Sequence, residues 1–200
     1  MYSHNDVTAI VLAGGLGRRV NYKNKGLLKF AGQPLITHVL EKLKTQTPHI
    51  LINANHDLSD YQTTGYPVIQ DQFPGNQGPL AGILSSEPLV NTQLVLTLPC
   101  DVPLLPQNLL MKMLASYEKK SPGQLCVAHD GHRLQNLFLL FETRQLKKLR
   151  LFFEKGNRRV ADWIHSQPYS VVDFSDEAAN FVNINSEKAL ITLNQTRNCK

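Results

Sequence analysis

Ala9-Ile10-Val11-Leu12-Ala13 is an unbroken apolar run that leads into Gly14-Gly15-Leu16-Gly17-Arg18-Arg19. Apolar residues without alternation are the pattern of a strand covered on both faces. The glycines then permit a tight turn, positive φ and close approach of the backbone to a ligand. Successive N–H groups in such a turn cradle phosphate oxygens. Arg18, Arg19 and Lys25 place three cations beside it, the charge that a triphosphate requires. Spacing excludes two better-known glycine motifs. GxGxxG fails because Val20 stands where the third glycine belongs. GxxxxGK[ST] fails because Lys25 precedes Gly26 rather than following it.

Outward from this stretch, short apolar runs alternate with helical spacing. His49 to Asn53, Pro67 to Asp71 and Leu94 to Leu98 are expected strands, the last stopped by Pro99. Leu125 to Ala128 and Leu137 to Phe141 are two more, with Val171 to Phe174 and Phe181 to Ile184 as late candidates. Leu35, Ile36, Val39, Leu40 and Leu43 recur at helical spacing behind Pro34. Gly78-Pro79-Leu80-Ala81-Gly82 turns into another helix, and Pro106 opens one carrying Leu109, Leu110, Met113 and Leu114. Further helices are expected over 143–154, over 158–165, and from an N-cap at Ser186 through Leu193. The alternation predicts an α/β fold: one domain over 1–200, a mainly parallel sheet, helices on both faces and right-handed crossovers. Residues 1–6 and 194–200 are expected to fray.

Composition narrows the classes. The 200 residues are 42% apolar and 18% charged, enough for a full core and unlike a disordered chain. The net charge of +5 suits an anionic ligand, but the basic residues are scattered, which argues against a nucleic-acid surface. Cys100, Cys126 and Cys199 stand far apart, so neither a CxxC zinc pair nor a disulfide scaffold is expected. No apolar run nears the ~20 residues of a membrane span, and the N-terminus has no signal-peptide pattern. A cytoplasmic protein is the expectation.

Asp101 lies in Leu98-Pro99-Cys100-Asp101-Val102-Pro103, just past a buried strand, where open α/β sheets place ligands. A hard oxygen ligand there suits Mg²⁺, which favours one or two carboxylates plus substrate phosphates. Asn53 and Asp71 end two more strands. With Gly14 and Asp101 they put polar groups of four strand ends on one rim, the expectation for a nucleotide pocket. Arg158-Arg159 reads equally as a solvated helix start or an anion site. His129-x-x-His132 lacks a third ligand and reads as a loop pair. Trp163, with Val160 and Ile164 at helical spacing, reads as core. No Ser-His-Asp or Cys-His arrangement is apparent.

The ordered set LAGG-x-G-x-R at 12–19, Lys25-Gly26-Leu27, GPLAG at 78–82, PCD-x-P at 99–103 and FVNIN at 181–185 resembles the molybdenum cofactor guanylyltransferase family. The resemblance covers roughly residues 7–193. It implies a Rossmann-like nucleotidyltransferase fold and Mg²⁺-dependent transfer of GMP from GTP to the terminal phosphate of molybdenum-molybdopterin. By position it implies that Leu12, Ala13, Gly14, Gly15 and Gly17 line the nucleotide site, with Lys25 on the phosphates. Asn53 and Asp71 would contact guanosine, and Asp101 both nucleotide and metal. Arg18 or Arg19 would join Lys25 on the leaving pyrophosphate. Asn183 and Asn185 match pterin-side positions. A monomer with transient contacts to cofactor-delivery proteins or molybdoenzymes is expected. This chain departs from the family pattern at Asn24, where an acid is usual, and at Arg133-Leu134-Gln135-Asn136, which lacks the usual proline. The alternatives are a CTP- or sugar-phosphate nucleotidyltransferase of the same fold, or a non-catalytic nucleotide-binding adaptor.

Overall fold

All six residues of β1 (Val7–Leu12) are buried, and their side chains alternate between two separate apolar layers. In the computed structural model, which describes residues 1–15, 24–119 and 123–184, β1 lies third in a seven-stranded sheet, with neighbours on both sides. The other strands are the short pair β2 (Lys29–Phe30) and β3 (Gln33–Pro34), then β4 (His49–Asn53), β5 (Val68–Ile69) and β6 (Leu94–Pro99). They continue with β7 (Leu125–His129), β8 (Leu134–Glu142) and β9 (Tyr169–Asp173). The sheet order is β5-β4-β1-β6-β8-β7-β9, and β2 and β3 pair apart from it. Only β8 among these seven runs against its neighbours, so the sheet is mainly parallel as expected.

Helices cover both faces. Val7, Ala9 and Val11 pack with α1 (Leu35–Leu43) and α4 (Leu109–Tyr117). Ile10 and Leu12 pack with α3 (Pro79–Ser86), α5 (Gln145–Glu154) and α6 (Val160–His165). A one-turn helix, α2 (Leu58–Gln62), follows β4. Trp163 is fully buried against Phe141, in the core as its spacing indicates. Among the described residues no helix is long and apolar enough to cross a membrane.

Several expectations are corrected. Phe181 to Ile184 is not a strand. Ser175–Phe181 forms 3₁₀ turns, and the chain then runs irregularly to Ile184. The Ile184 N–H donates to the Asp101 carbonyl at 2.9 Å, so this segment pairs with a loop instead of a sheet edge. Phe181 and Ile184 are apolar because they plug the core. The helix opened by Pro106 starts only at Leu109, because Gln46 bridges the Pro106 carbonyl (3.0 Å) and the Leu110 N–H (2.9 Å). Near the N-terminus Ser3 and Asp6 form a capping box over His4–Asp6, and the Tyr2 N–H donates to Glu118. The helix expected from Ser186 lies outside the described residues.

β1 pairs with β4 on one side and β6 on the other, so the strand order reverses there. Leu12 is in register with Asn53 and with Pro99, and Asn53 with Ile69. Four strands therefore end level, and a crevice opens at the point where open α/β sheets bind ligands.

Candidate active site

A cavity of about 240 Å³ occupies that crevice. Leu12, Ala13, Gly14, Gly15, Lys25, Asn53, Asp71, Asp101 and Asn183, nine of the residues singled out from sequence, line it together. Gly17, Arg18, Arg19 and Asn185 lie outside the described residues.

Asp101 is only 5% exposed. Its Oδ2 lies 3.4 Å from Lys25 Nζ, and its Oδ1 accepts from Asn183 Nδ2 at 3.2 Å. Burial pushes the carboxyl above its ordinary range, and Lys25 pulls it part of the way back. The group is thus held where extra positive charge favours its ionised form. Asn183 Oδ1 is buried and has no hydrogen-bond partner among the described residues. A carboxylate and an orphaned amide oxygen, both hard oxygen donors on residues that line one cavity, fit Mg²⁺. Cys100 lines the same cavity, but burial, reinforced by Asp101, raises its thiol and keeps it protonated and inert.

Lys25 stands on a one-turn 3₁₀ helix, Lys25–Leu27. That turn is seated by Tyr61, whose hydroxyl donates to Asn24 Oδ1 at 2.5 Å. Asn24, the position at which the sequence departs from the resembled pattern, thus offers its amide oxygen as an acceptor to that hydroxyl. Gly26 is required there, because a Cβ would overlap the Tyr61 hydroxyl.

On the opposite rim Asn53 is buried, and its Nδ2 donates to Asp71 Oδ1 at 2.9 Å. α3 passes so close that a Cβ at Gly82 would overlap Asn53 Oδ1. The second glycine of GPLAG therefore lets the helix approach this amide.

A family model for the MobA-like NTP transferase domain matches residues 9–170. The chain belongs to this family. Molybdenum cofactor guanylyltransferases from Shewanella sediminis and Shewanella putrefaciens are each 38% identical to it. The matches cover 90% and 95% of this chain, and 91% and 98% of the relatives. The crystal structure of molybdopterin-guanine dinucleotide biosynthesis protein A from Archaeoglobus fulgidus superposes with a TM-score of 0.78 at 19% identity. It covers 96% of this chain and all of that one, and supports the fold.

Not every cation of this MobA-like chain serves the cavity. The Arg158 guanidinium donates to Gln77, Phe153 and Asn157 and stacks on the Phe153 ring at 3.9 Å. The exposed Arg159 precedes α6. His129 Nδ1 accepts from the Gly131 N–H, and the described residues hold no cluster of three metal-ligating side chains. His132 and Arg133 instead line a neighbouring cavity of about 420 Å³, which shares Asn183 with the first.

Sequence reasoning missed Asn55 and Tyr61. Asn55 stands two residues past Asn53, the period that returns a side chain to the same side of an extended chain. That spacing was the available signal. Tyr61 gave none, because its partner Asn24 becomes a neighbour only on folding.

Proposed function

We propose that this MobA-like protein transfers GMP from GTP to the terminal phosphate of molybdenum-molybdopterin, releasing pyrophosphate and forming the guanine dinucleotide form of the cofactor. The observation that carries the reading is Lys25 facing Asp101 across a glycine-lined cavity at the sheet's switch point. The names of the two Shewanella relatives supply the nucleotide and the acceptor.

In this reading the backbone of Leu12 to Gly15, with Gly17, lines the nucleotide site. Asn53 and Asp71 contact the guanosine. Lys25 neutralises the phosphates and, with Arg18 or Arg19, the departing pyrophosphate. Asp101 and the Asn183 amide oxygen would hold Mg²⁺. When bound, the ion supplies positive charge to phosphate oxygens where negative charge develops. The acceptor phosphate has a second pKa of about 6, so it arrives mostly dianionic and needs no general base. Its oxygen attacks the α-phosphorus, and the bond to the β-phosphate oxygen breaks. The chain's task is to align two polyanions and offset their repulsion. Asn183 and Asn185 belong to the acceptor side, where the neighbouring cavity offers His132 and Arg133 to an anion. One domain spanning 1–200, a monomer, a cytoplasmic location and transient contacts with cofactor-delivery proteins or molybdoenzymes complete the proposal.

Incubation with labelled GTP, Mg²⁺ and molybdenum-loaded molybdopterin tests it. The expected product is a guanylated pterin with one pyrophosphate per transfer. Transfer from CTP but not GTP, or nucleotide binding with no transfer, overturns it.

A further inference from the structure

Asp71 is the one carboxylate lining the cavity besides Asp101 among the described residues. Each of its oxygens is held by a separate amide: Oδ1 accepts from Asn53 Nδ2 at 2.9 Å, and Oδ2 from Asn55 Nδ2 at 2.8 Å. Asn55 Oδ1 in turn accepts the backbone N–H of Asp71 at 2.9 Å. Asn55 therefore closes a ring with both the side chain and the backbone of Asp71. Its Nδ2 also lies 3.5 Å from the Gly14 carbonyl, and a Cβ on Gly14 would stand 2.8 Å from it. Asn55 thus holds the loop after β5 closely and meets the turn after β1 only at a long 3.5 Å.

A carboxylate offers about four lone-pair sites, and the two amides fill two. Two acceptor sites, one on each oxygen, remain for a ligand on this cavity-lining residue. Guanine alone among the common bases carries two adjacent N–H donors, N1–H and the 2-amino group, on its pairing edge. Such a pair matches a fixed carboxylate in the bidentate manner. The torsion at the end of an aspartate side chain is soft, so the match depends on what holds the carboxylate plane.

We propose that Asn55 is the positioning residue that makes Asp71 selective for guanine. The proposal rests on reading the cavity as a guanine nucleotide site. Asn55 does not touch the base; it sets the plane and register of the carboxylate that does.

Calorimetric titration of the full chain with GTP, with ITP (which lacks the 2-amino group) and with pyrophosphate tests this. The wild type is expected to bind GTP about tenfold more tightly than ITP, the scale of one hydrogen bond to a charged acceptor. Asn55→Leu is expected to weaken GTP about tenfold and bring the GTP-to-ITP ratio within about twofold of unity, with pyrophosphate affinity unchanged. Asn55→Ser, small and polar but too short to reach Asp71, should behave alike and guards against misfolding of the leucine variant. A wild-type GTP-to-ITP ratio in both variants overturns the proposal. Equal loss of GTP, ITP and pyrophosphate also overturns it, since Asn55 would then act only on the Gly14 turn. Equal wild-type affinity for GTP and ITP overturns the guanine reading of Asp71 itself, and the role of Asn55 with it.

Discussion

Lys25 and Asp101 are 76 positions apart in the chain, and their charged ends meet at 3.4 Å. The aspartate side chain is almost sealed from water, while the lysine is a quarter exposed. Desolvation therefore falls mainly on the carboxylate, and the lysine offsets only part of it. Such a pair weakens the folded state locally and readies the site for a further cation.

Asp101→Asn separates these two effects. GMP transfer is expected to fall by at least about a hundredfold, the scale of losing a preorganised electrostatic contact. The melting temperature at neutral pH is expected to hold or rise, because the amide removes a buried charge. Pyrophosphate release and thermal melts read the two. Near wild-type turnover would remove Asp101 from the chemistry.

The same carboxyl predicts an unusual pH trace. Its folded pKa lies above the ordinary 3.8, so the native state keeps a proton that the unfolded chain releases. Stability from this group falls as pH rises from 3.8 through the raised value, then levels off. Glu177 behaves oppositely. Burial pushes it upward, but Asn108 and Lys112 outweigh that and hold it below 4.5, so its contribution is lost as pH falls. Melts of wild type and Asp101→Asn in EDTA across this range should diverge as pH rises, the variant becoming relatively more stable. A constant offset would contradict the assignment.

Gly82→Ala places a methyl group against Asn53 Oδ1. Within a helix this change usually stabilises by up to about 1 kcal/mol. Here Asn53 is pinned by Ile69 and Asp71 and cannot step aside without moving the carboxylate. GTP affinity is expected to drop about tenfold or more, as for a broken hydrogen bond to a charged group, and titration of the variant measures it.

Tyr61→Phe removes the hydroxyl that seats Asn24. Burial raises that phenol, so it stays a donor throughout the working pH range. Losing a part-buried hydrogen bond of this kind costs about 1 kcal/mol. Because the partner adjoins Lys25, KM for GTP should rise more than kcat falls, which steady-state kinetics resolves.

Of the strands that form the rim, β1, β4 and β6 were legible because a parallel sheet buried on both faces writes continuous apolar runs. Gly14, Asn53, Asp71 and Asp101 stood out as strand-end residues for the same reason. The segment Phe181 to Ile184 misled, since its aromatic and β-branched residues favour a strand until their backbone partner is known. That partner, the Asp101 carbonyl, is 83 positions earlier. Asn55 and Tyr61 stayed hidden because their importance lies in hydrogen bonds to Asp71 and Asn24, which local periodicity does not encode. Arg158 is a reverse case. Its charge invited an anion, but nearby carbonyls and a phenyl ring already occupy it.

The clasp of Asn183 and Ile184 on Asp101 has a temporal consequence. A ribosome delivers Leu12, Lys25, Asn53 and Asp101 long before it adds that clasp, and chains emerge at about 5–20 residues per second. The nascent polypeptide can therefore align β1, β4, β5 and β6 early, while the clasp on Asp101 closes only after Asn183 and Ile184 have emerged.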